Sequence, residues 1–403
     1  MKFNRINVLI LIIPIISFAL PYKLGIENFK PDNELMHKGI ALVTNQTGRD
    51  SHGNRTIDLL LKQNVNLKII FVPEHGLDGK IAAEKEVFDG IDVKTKVSVA
   101  SLYSHCSGKK IDVDMLKDID VIMFDLQDSG MRHYTYISTL KHVLDACAEY
   151  NKKCIVFDRP NPLGSLMEGP LVDSDLLSFI SIAPIPVRHG MTIGELAKYF
   201  NEKFLSKKAD LDIIWMKNYD RRIGLAETML SPLSPNIASL QSCYGYSFLG
   251  LLGEVRQIDV GFALQRPFQA ILLPEKMLNK EQWTRLRLLL RDYGIETAFV
   301  KKQPTKNNQV YNGVVIRIKN IDSTPALQAL FALCDFMKSS EISLELSPAF
   351  DKAMGTRNFR EFLMGKISRA DLVTTINTDL KKFHADAHDY FHYSPAPQIQ
   401  LMK

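Results

Sequence analysis

The densest chemistry in this 403-residue chain lies between Val121 and Leu140, VIMFDLQDSGMRHYTYISTL. Two carboxylates (Asp125, Asp128), an amide (Gln127), a guanidinium (Arg132) and two phenols (Tyr134, Tyr136) follow one another there. That mixture suits a polyhydroxylated ligand. Amides and phenols bind hydroxyl groups, a guanidinium grips an anionic substituent, and paired carboxylates serve acid–base work. Three further clusters share the character: Asn45-Gln46-Thr47, Pro73-Glu74-His75-Gly76 and Asp158-Arg159-Pro160-Asn161-Pro162. Arg188 and His189 precede Thr192 and Glu195, whose spacing is that of a helix capping box, so Glu195 reads as structural. The competing reading makes Asp125 or Asp128 an N-cap with Arg132 as its ion-pair partner, and His189 a satisfied core histidine.

Each of these clusters follows an apolar run of strand length. Lys38 to Asn45, Leu67 to Val72, Val121 to Phe124 and Cys154 to Phe157 read as strands, joined by Val97 to Tyr103 and Leu211 to Met216. Helical spacing separates them, from Arg55 to Leu61, from Tyr134 through Cys147 and after Thr192. Alternation of this kind specifies an α/β parallel sheet with right-handed crossovers, which brings the polar strand ends to one edge, where ligands bind in open α/β sheets. From about Asp220 the texture changes. SPLSPN (Ser231 to Asn236) is a loop, Phe268 to Leu273 and Val310 to Ile318 read as strands, and Lys280 to Tyr293, Ala326 to Met337 and Ser368 to Phe391 read as helices. The expected division is residues 21–220 as a parallel-sheet domain and 221–403 as a smaller α+β domain.

Composition narrows the function classes. With 46% hydrophobic and 24% charged residues and a formal charge of +5, the chain is that of a mildly basic globular protein. No basic run with interleaved aromatics marks a nucleic-acid groove, and neither GxGxxG, GxxxxGK[ST] nor GxSxG occurs, so no nucleotide cofactor is expected. The five cysteines form no CxxC pair with zinc spacing, and neither a metal nor a disulfide is expected. Lys2 and Arg5 precede an apolar run from Ile6 to Leu20, which reads as a signal peptide over residues 1–20, or an uncleaved anchor, and as export to the periplasm or the cell exterior. No other membrane insertion is expected, and nothing specifies an oligomeric state.

PEHG (Pro73 to Gly76), DLQDSGMRHYTY (Asp125 to Tyr136), DRPNP (Asp158 to Pro162) and PVRHGMTIGEL (Pro186 to Leu196), in that order, resemble the NamZ-type exo-β-N-acetylmuramidases, a peptidoglycan glycoside hydrolase family. VTNQTG (Val43 to Gly48), SLY (Ser101 to Tyr103), EGP (Glu168 to Pro170), SPN (Ser234 to Asn236) and RPF (Arg266 to Phe268) also fit. The resemblance implies a Rossmann-like first domain, a smaller second domain, a site between them, and release of N-acetylmuramic acid from non-reducing ends of peptidoglycan fragments or muropeptides. Two departures stand out. The family's Glu after the PEHG loop falls at Lys85, and its glycine-rich run before RPF is replaced by EVRQIDVGFALQ (Glu254 to Gln265).

Glycoside hydrolysis needs an acid for the leaving oxygen and a second group for the oxocarbenium-like centre. Glu74 is the expected acid, because desolvation can raise the pKa of a Glu beside an apolar strand. Asp125 or Asp128 is its expected partner. Asn45, His75, Gln127, Arg132, Tyr134, Tyr136, Asp158, Arg159, Asn161 and His189 are the expected substrate contacts. The departures keep two alternatives in play: a glycan-binding protein that has lost the chemistry, and a hydrolase of another amino sugar.

Overall fold

A computed structural model describes residues 22–103, 109–222, 231–304 and 310–403. The apolar run read as a signal peptide, and Cys106, lie outside the described residues.

After two short turns, α1 (Gly25–Asn28) and α2 (Asn33–Met36), the chain builds a seven-stranded sheet. Its strands are β1 (Ile40–Thr44), β2 (Leu67–Val72), β3 (Gly90–Ile91), β4 (Ser98–Ser101), β5 (Val121–Asp125), β6 (Lys153–Phe157) and β8 (Asp210–Ile214); β7 (Leu166–Met167) lies outside it. The spatial order is β3-β4-β2-β1-β5-β6-β8, parallel throughout except at the β3–β4 edge. The chain winds outward from β1 through β2 to β4, then crosses back to β5 and winds the other way through β6 to β8. The reversal falls between β1 and β5, where Thr44 lies opposite Asp125. That switch point is where a doubly wound sheet opens a crevice, and the architecture is the Rossmann-like α/β fold expected.

The strands are apolar runs because both faces are covered. Val43, Ile122, Phe124, Cys154 and Val156 point into one core, with α4 (Tyr136–Tyr150) and α5 (Ile193–Lys203). Leu42, Val121, Met123, Ile155 and Phe157 point into the other, with α3 (Thr56–Lys62). Each such side chain contributes about 1.5–3 kcal/mol on burial, so register is fixed: a one-residue slip would exchange the two sets. The Thr192–Glu195 capping box forms, with Glu195 Oε2 accepting from the Thr192 amide at 2.9 Å.

The second part of the chain carries a three-stranded antiparallel sheet in the order β10-β11-β9, from β9 (Ala270–Pro274), β10 (Ile295–Pro304) and β11 (Val310–Ile318). Around it pack α6 (Leu240–Leu249), α7 (Lys280–Asp292), α8 (Ala326–Ser339), α9 (Pro348–Met354), α10 (Asn358–Leu363) and α11 (Arg369–Ala387). The chain end then returns to the first part, where β12 (Gln398–Ile399) pairs with β7. Among the described residues no helix is long and apolar enough to cross a membrane.

Candidate active site at the β1–β5 switch point

The loop after β2 delivers Glu74 to the crevice. Its carboxylate is half-buried, accepts a hydrogen bond from Thr135 Oγ1 at 2.9 Å on Oε2 and one from the Glu84 amide at 3.2 Å on Oε1, and has no cationic partner among the described residues. Gly76 and Gly79 have positive φ, as does His75 at +75°, so the chain turns sharply immediately after Glu74. That turn sends His75 away: its Nδ1–H donates to the Ile81 carbonyl at 2.7 Å, and its ring lines a separate groove of about 560 Å³ beside β3.

The loop after β5 delivers Asp128. Its Oδ2 accepts from the Gly130 amide at 2.7 Å and contacts His189 Nε2 at 3.0 Å. The Met191 amide donates to His189 Nδ1 at 3.2 Å, which leaves the ring proton on Nε2, aimed at Asp128. Asp128 Oδ1 is buried and has no hydrogen-bond partner among the described residues.

Phenols fill the space around these two acids. Asn45 Nδ2 donates to the Tyr136 hydroxyl at 2.7 Å, and that hydroxyl donates to the Glu74 carbonyl at 3.3 Å. Tyr134 packs on Tyr136 with ring centroids 4.7 Å apart and donates to the Leu233 carbonyl at 2.9 Å, so the SPLSPN loop folds over the pair. A further phenol, Tyr246 on α6, was not among the expected contacts. Burial pushes its hydroxyl well above the usual tyrosine range, and the charges of Glu74 and then Asp128 push it the same way. Its ring lies 4.7 Å from His133, 6.4 Å from Tyr134 and 4.8 Å from Phe268. Gly245 makes this possible, because a Cβ there would stand 1.7 Å from the Phe268 carbonyl oxygen.

Several expected contacts are committed elsewhere. Asp125 is fully buried and bidentate with Arg159, Oδ1 to Nε at 2.5 Å and Oδ2 to Nη2 at 2.9 Å, while Thr56 donates to Oδ2. Neither Asp125 nor Arg159 is free for a sugar, because the lone pairs and donors satisfy each other across β5 and β6. Arg132 is buried, with its guanidinium donating to the carbonyls of Pro170, Ile185 and Ala353 at 2.6–3.0 Å and to Ser181 Oγ at 3.2 Å. Burial lowers its pKa to about 9. Asp158 accepts from the Gly194 amide at 2.8 Å and from the Tyr393 hydroxyl at 2.5 Å, tying α5 to the chain end, and burial raises its pKa to about 7. Gln127 Nε2 donates to the carbonyls of Asp128 and Pro160, and Asn161 bridges the Leu163 amide and the Met191 carbonyl, so both brace loops. Arg188 is likewise buried against Glu168 at 3.1 Å. Glu74, Asp128, His189, Asn45, Tyr134 and Tyr136 are the expected residues that the fold brings together.

The family model for the N-terminal part of the exo-β-N-acetylmuramidase NamZ matches residues 40–241, and that for its C-terminal part matches residues 244–393. The chain belongs to the NamZ family. It is 32% identical over 385 residues to the peptidoglycan β-N-acetylmuramidase NamZ of Bacillus subtilis (strain 168), covering 92% of this chain and 91% of that one. Two crystal structures of DUF1343 family proteins from Bacteroides fragilis NCTC 9343 are similar. The first has a TM-score of 0.81 at 31% identity, with 93% of this chain and 100% of that chain covered. The second has a TM-score of 0.74 at 28% identity, with 92% and 99% covered.

Both places where the sequence departs from the NamZ pattern border the crevice. Glu84 (φ +62°) turns its amide onto Glu74, while the side chains of Glu84 and Lys85 are exposed. In the rewritten loop Asp259 Oδ1 accepts from the Gly261 amide at 2.7 Å, and just beyond it Phe268 of the RPF motif takes a positive φ of +62° and packs on Tyr246. Positive φ is costly for a bulky side chain and concentrates at functional sites. A cleft of about 690 Å³ also opens at the amino ends of β5, β6 and β8. Its charges pair with one another, as in Lys153–Asp212 at 2.6 Å, and none of the NamZ motif residues reaches it.

Proposed function

We propose that the protein is an exo-acting glycoside hydrolase that releases N-acetylmuramic acid from the non-reducing ends of peptidoglycan fragments, and that it works outside the cytoplasm. The observation that carries this reading is the pair Glu74 and Asp128, two carboxylates at the switch point with no guanidinium or ammonium on either among the described residues. Glu74 gives its proton to the glycosidic oxygen as the C1–O bond breaks. Asp128, oriented by His189 and the Gly130 amide, turns its free Oδ1 to the positive charge developing at C1, or to the water that attacks it. Their separation when substrate is bound decides between retention and inversion. Asn45, Tyr134 and Tyr136 form the wall that meets sugar hydroxyls.

One observation favours a second reading. Arg132, Arg159 and Arg188 are all committed to buried partners, which leaves none of the three for the lactyl carboxylate of muramic acid. An amino sugar without that acid would fit the same wall.

The test is turnover of a chromogenic β-N-acetylmuraminide, with the β-N-acetylglucosaminide beside it, by the parent and by Glu74→Gln. Cleavage of the muraminide by the parent and a fall of about 10²-fold or more in the variant are expected, the scale of a lost general acid. Preference for the glucosaminide would move the assignment to the second reading, and full activity in Glu74→Gln would remove Glu74 as the acid. Muropeptide binding without turnover by the parent would instead indicate a protein that has kept the crevice and lost the chemistry.

A further inference from the structure

Helix α6 lies against both acid-bearing loops: the Tyr246 ring stands 6.4 Å from that of Tyr134, Cys243 one turn earlier donates to the Ser129 carbonyl beside Asp128 at 3.6 Å, and the Tyr246 hydroxyl makes no hydrogen bond among the described residues. The neighbouring phenols Tyr134 and Tyr136 are occupied: Tyr134 donates to the Leu233 carbonyl, and Tyr136 is held between Asn45 and the Glu74 carbonyl. Asp128 Oδ1 is likewise without a partner. A buried carboxylate oxygen left without a partner calls for an external one, because it forgoes a hydrogen bond that water or a neighbouring side chain ordinarily supplies.

The surroundings hold the Tyr246 ring in place. His133 lies against it at 4.7 Å, neutral because burial takes its pKa down to about 3, and Gly250 leaves the room that the imidazole occupies. Phe268 closes on the ring from the other loop at 4.8 Å, with its backbone held at φ +62° and its amide donating to the Val260 carbonyl at 2.7 Å. Packing of this kind pre-positions a donor before the ligand arrives and spares the ordering cost at binding.

We infer that the Tyr246 hydroxyl is a substrate-contacting group, donating its hydrogen bond to a sugar oxygen held between Glu74 and Asp128, so that the catalytic crevice is completed by α6. This rests on the sugar-hydrolase reading above. The phenol stays neutral at ordinary pH, which makes it a donor to an oxygen gaining charge and not a nucleophile competing with Asp128.

Tyr246→Phe removes one oxygen that makes no hydrogen bond among the described residues, so the variant keeps the parent's melting temperature, and kcat/KM on the muraminide falls by about 10- to 100-fold. Binding of free N-acetylmuramic acid, followed by calorimetry on the full chain, weakens in the same variant. If the parent turns over and Tyr246→Phe matches it within about twofold, the inference is overturned and the hydrolase reading stands. If the parent binds the sugar without cleaving it, the ratio of the two dissociation constants decides: a weaker variant supports the contact, and an equal one overturns it. If the parent neither cleaves nor binds, both readings fall together.

Discussion

Replacing Asp125 by Asn separates a structural carboxylate from a catalytic one. Asp125 and Arg159 are 0% and 5% exposed, and their two contacts of 2.5 and 2.9 Å are joined by the Thr56 hydroxyl on Oδ2. Breaking a buried pair of this kind by removing one charge costs about 3–5 kcal/mol, because the remaining ion is left without compensation. An amide keeps one acceptor for the guanidinium, so the lower end, about 3 kcal/mol, is expected. Urea unfolding followed by circular dichroism should show that loss as an earlier first transition. Arg159→Met alone should lose a similar amount, and Asp125→Leu combined with Arg159→Met should recover most of it, giving a coupling of about 2 kcal/mol or more. Assayed below its unfolding temperature, Asp125→Asn should keep kcat/KM on the muraminide within about threefold of the parent. A variant as stable as the parent but inactive would refute the reasoning and return Asp125 to the reacting centre.

Two further outcomes follow from the same geometry. Burial raises the folded pKa of Asp158 from the ordinary 3.8 to about 7, so the unfolded chain ionises first as pH rises and stability falls between about pH 4 and pH 7. Three pKa units correspond to about 4 kcal/mol at most; the urea unfolding free energy measured across that range should fall less steeply in Asp158→Asn, and a parent that gains stability over the window would contradict the assignment. Gly245→Ala places a methyl group 1.7 Å from the Phe268 carbonyl, so α6 and the 261–268 loop must part at a cost of about 1–3 kcal/mol, with kcat/KM falling as Tyr246 loses its seat. Unchanged melting and turnover would show that the loop yields freely.

Location was legible in the sequence, and the division of labour was not. Apolar runs buried on both faces announce parallel strands, and the α/β architecture then forces NQT, PEHG, DLQDSGMR and DRPNP onto one edge. Which residue of each cluster stays free depends on partners that no local pattern contains. Asp125 is neutralised by Arg159, 34 positions away, Asp158 is held by Tyr393, 235 positions away, and Arg132 reaches Ala353, 221 positions away. An Asp at a strand end looks the same whether it awaits a sugar or anchors the chain terminus. Tyr246 was hidden for a different reason. Helix α6, LQSCYGYSFL, is buried nearly all round and interrupted by Gly245, so it lacks the polar and apolar faces that betray a surface helix. Strand β10 is not legible because its opening residues Ile295 to Val300, IETAFV, show no alternation of apolar and polar types. The Thr192–Glu195 box was readable because all its partners lie within one turn.

The return of the chain end has a consequence for the order in which the molecule can be made. Tyr393 joins Asp158 to the Met216 amide, Arg221 is clasped by the carbonyls of Pro395 and Tyr393, and β12 completes β7. These bonds need residues 393–399, so a growing polypeptide holds Asp158 and Arg221 without these partners until the whole second part of the chain has been made. The Rossmann-like sheet is encoded first and fastened last, and a ribosome that has finished coding for its strands has not yet supplied the means to lock them.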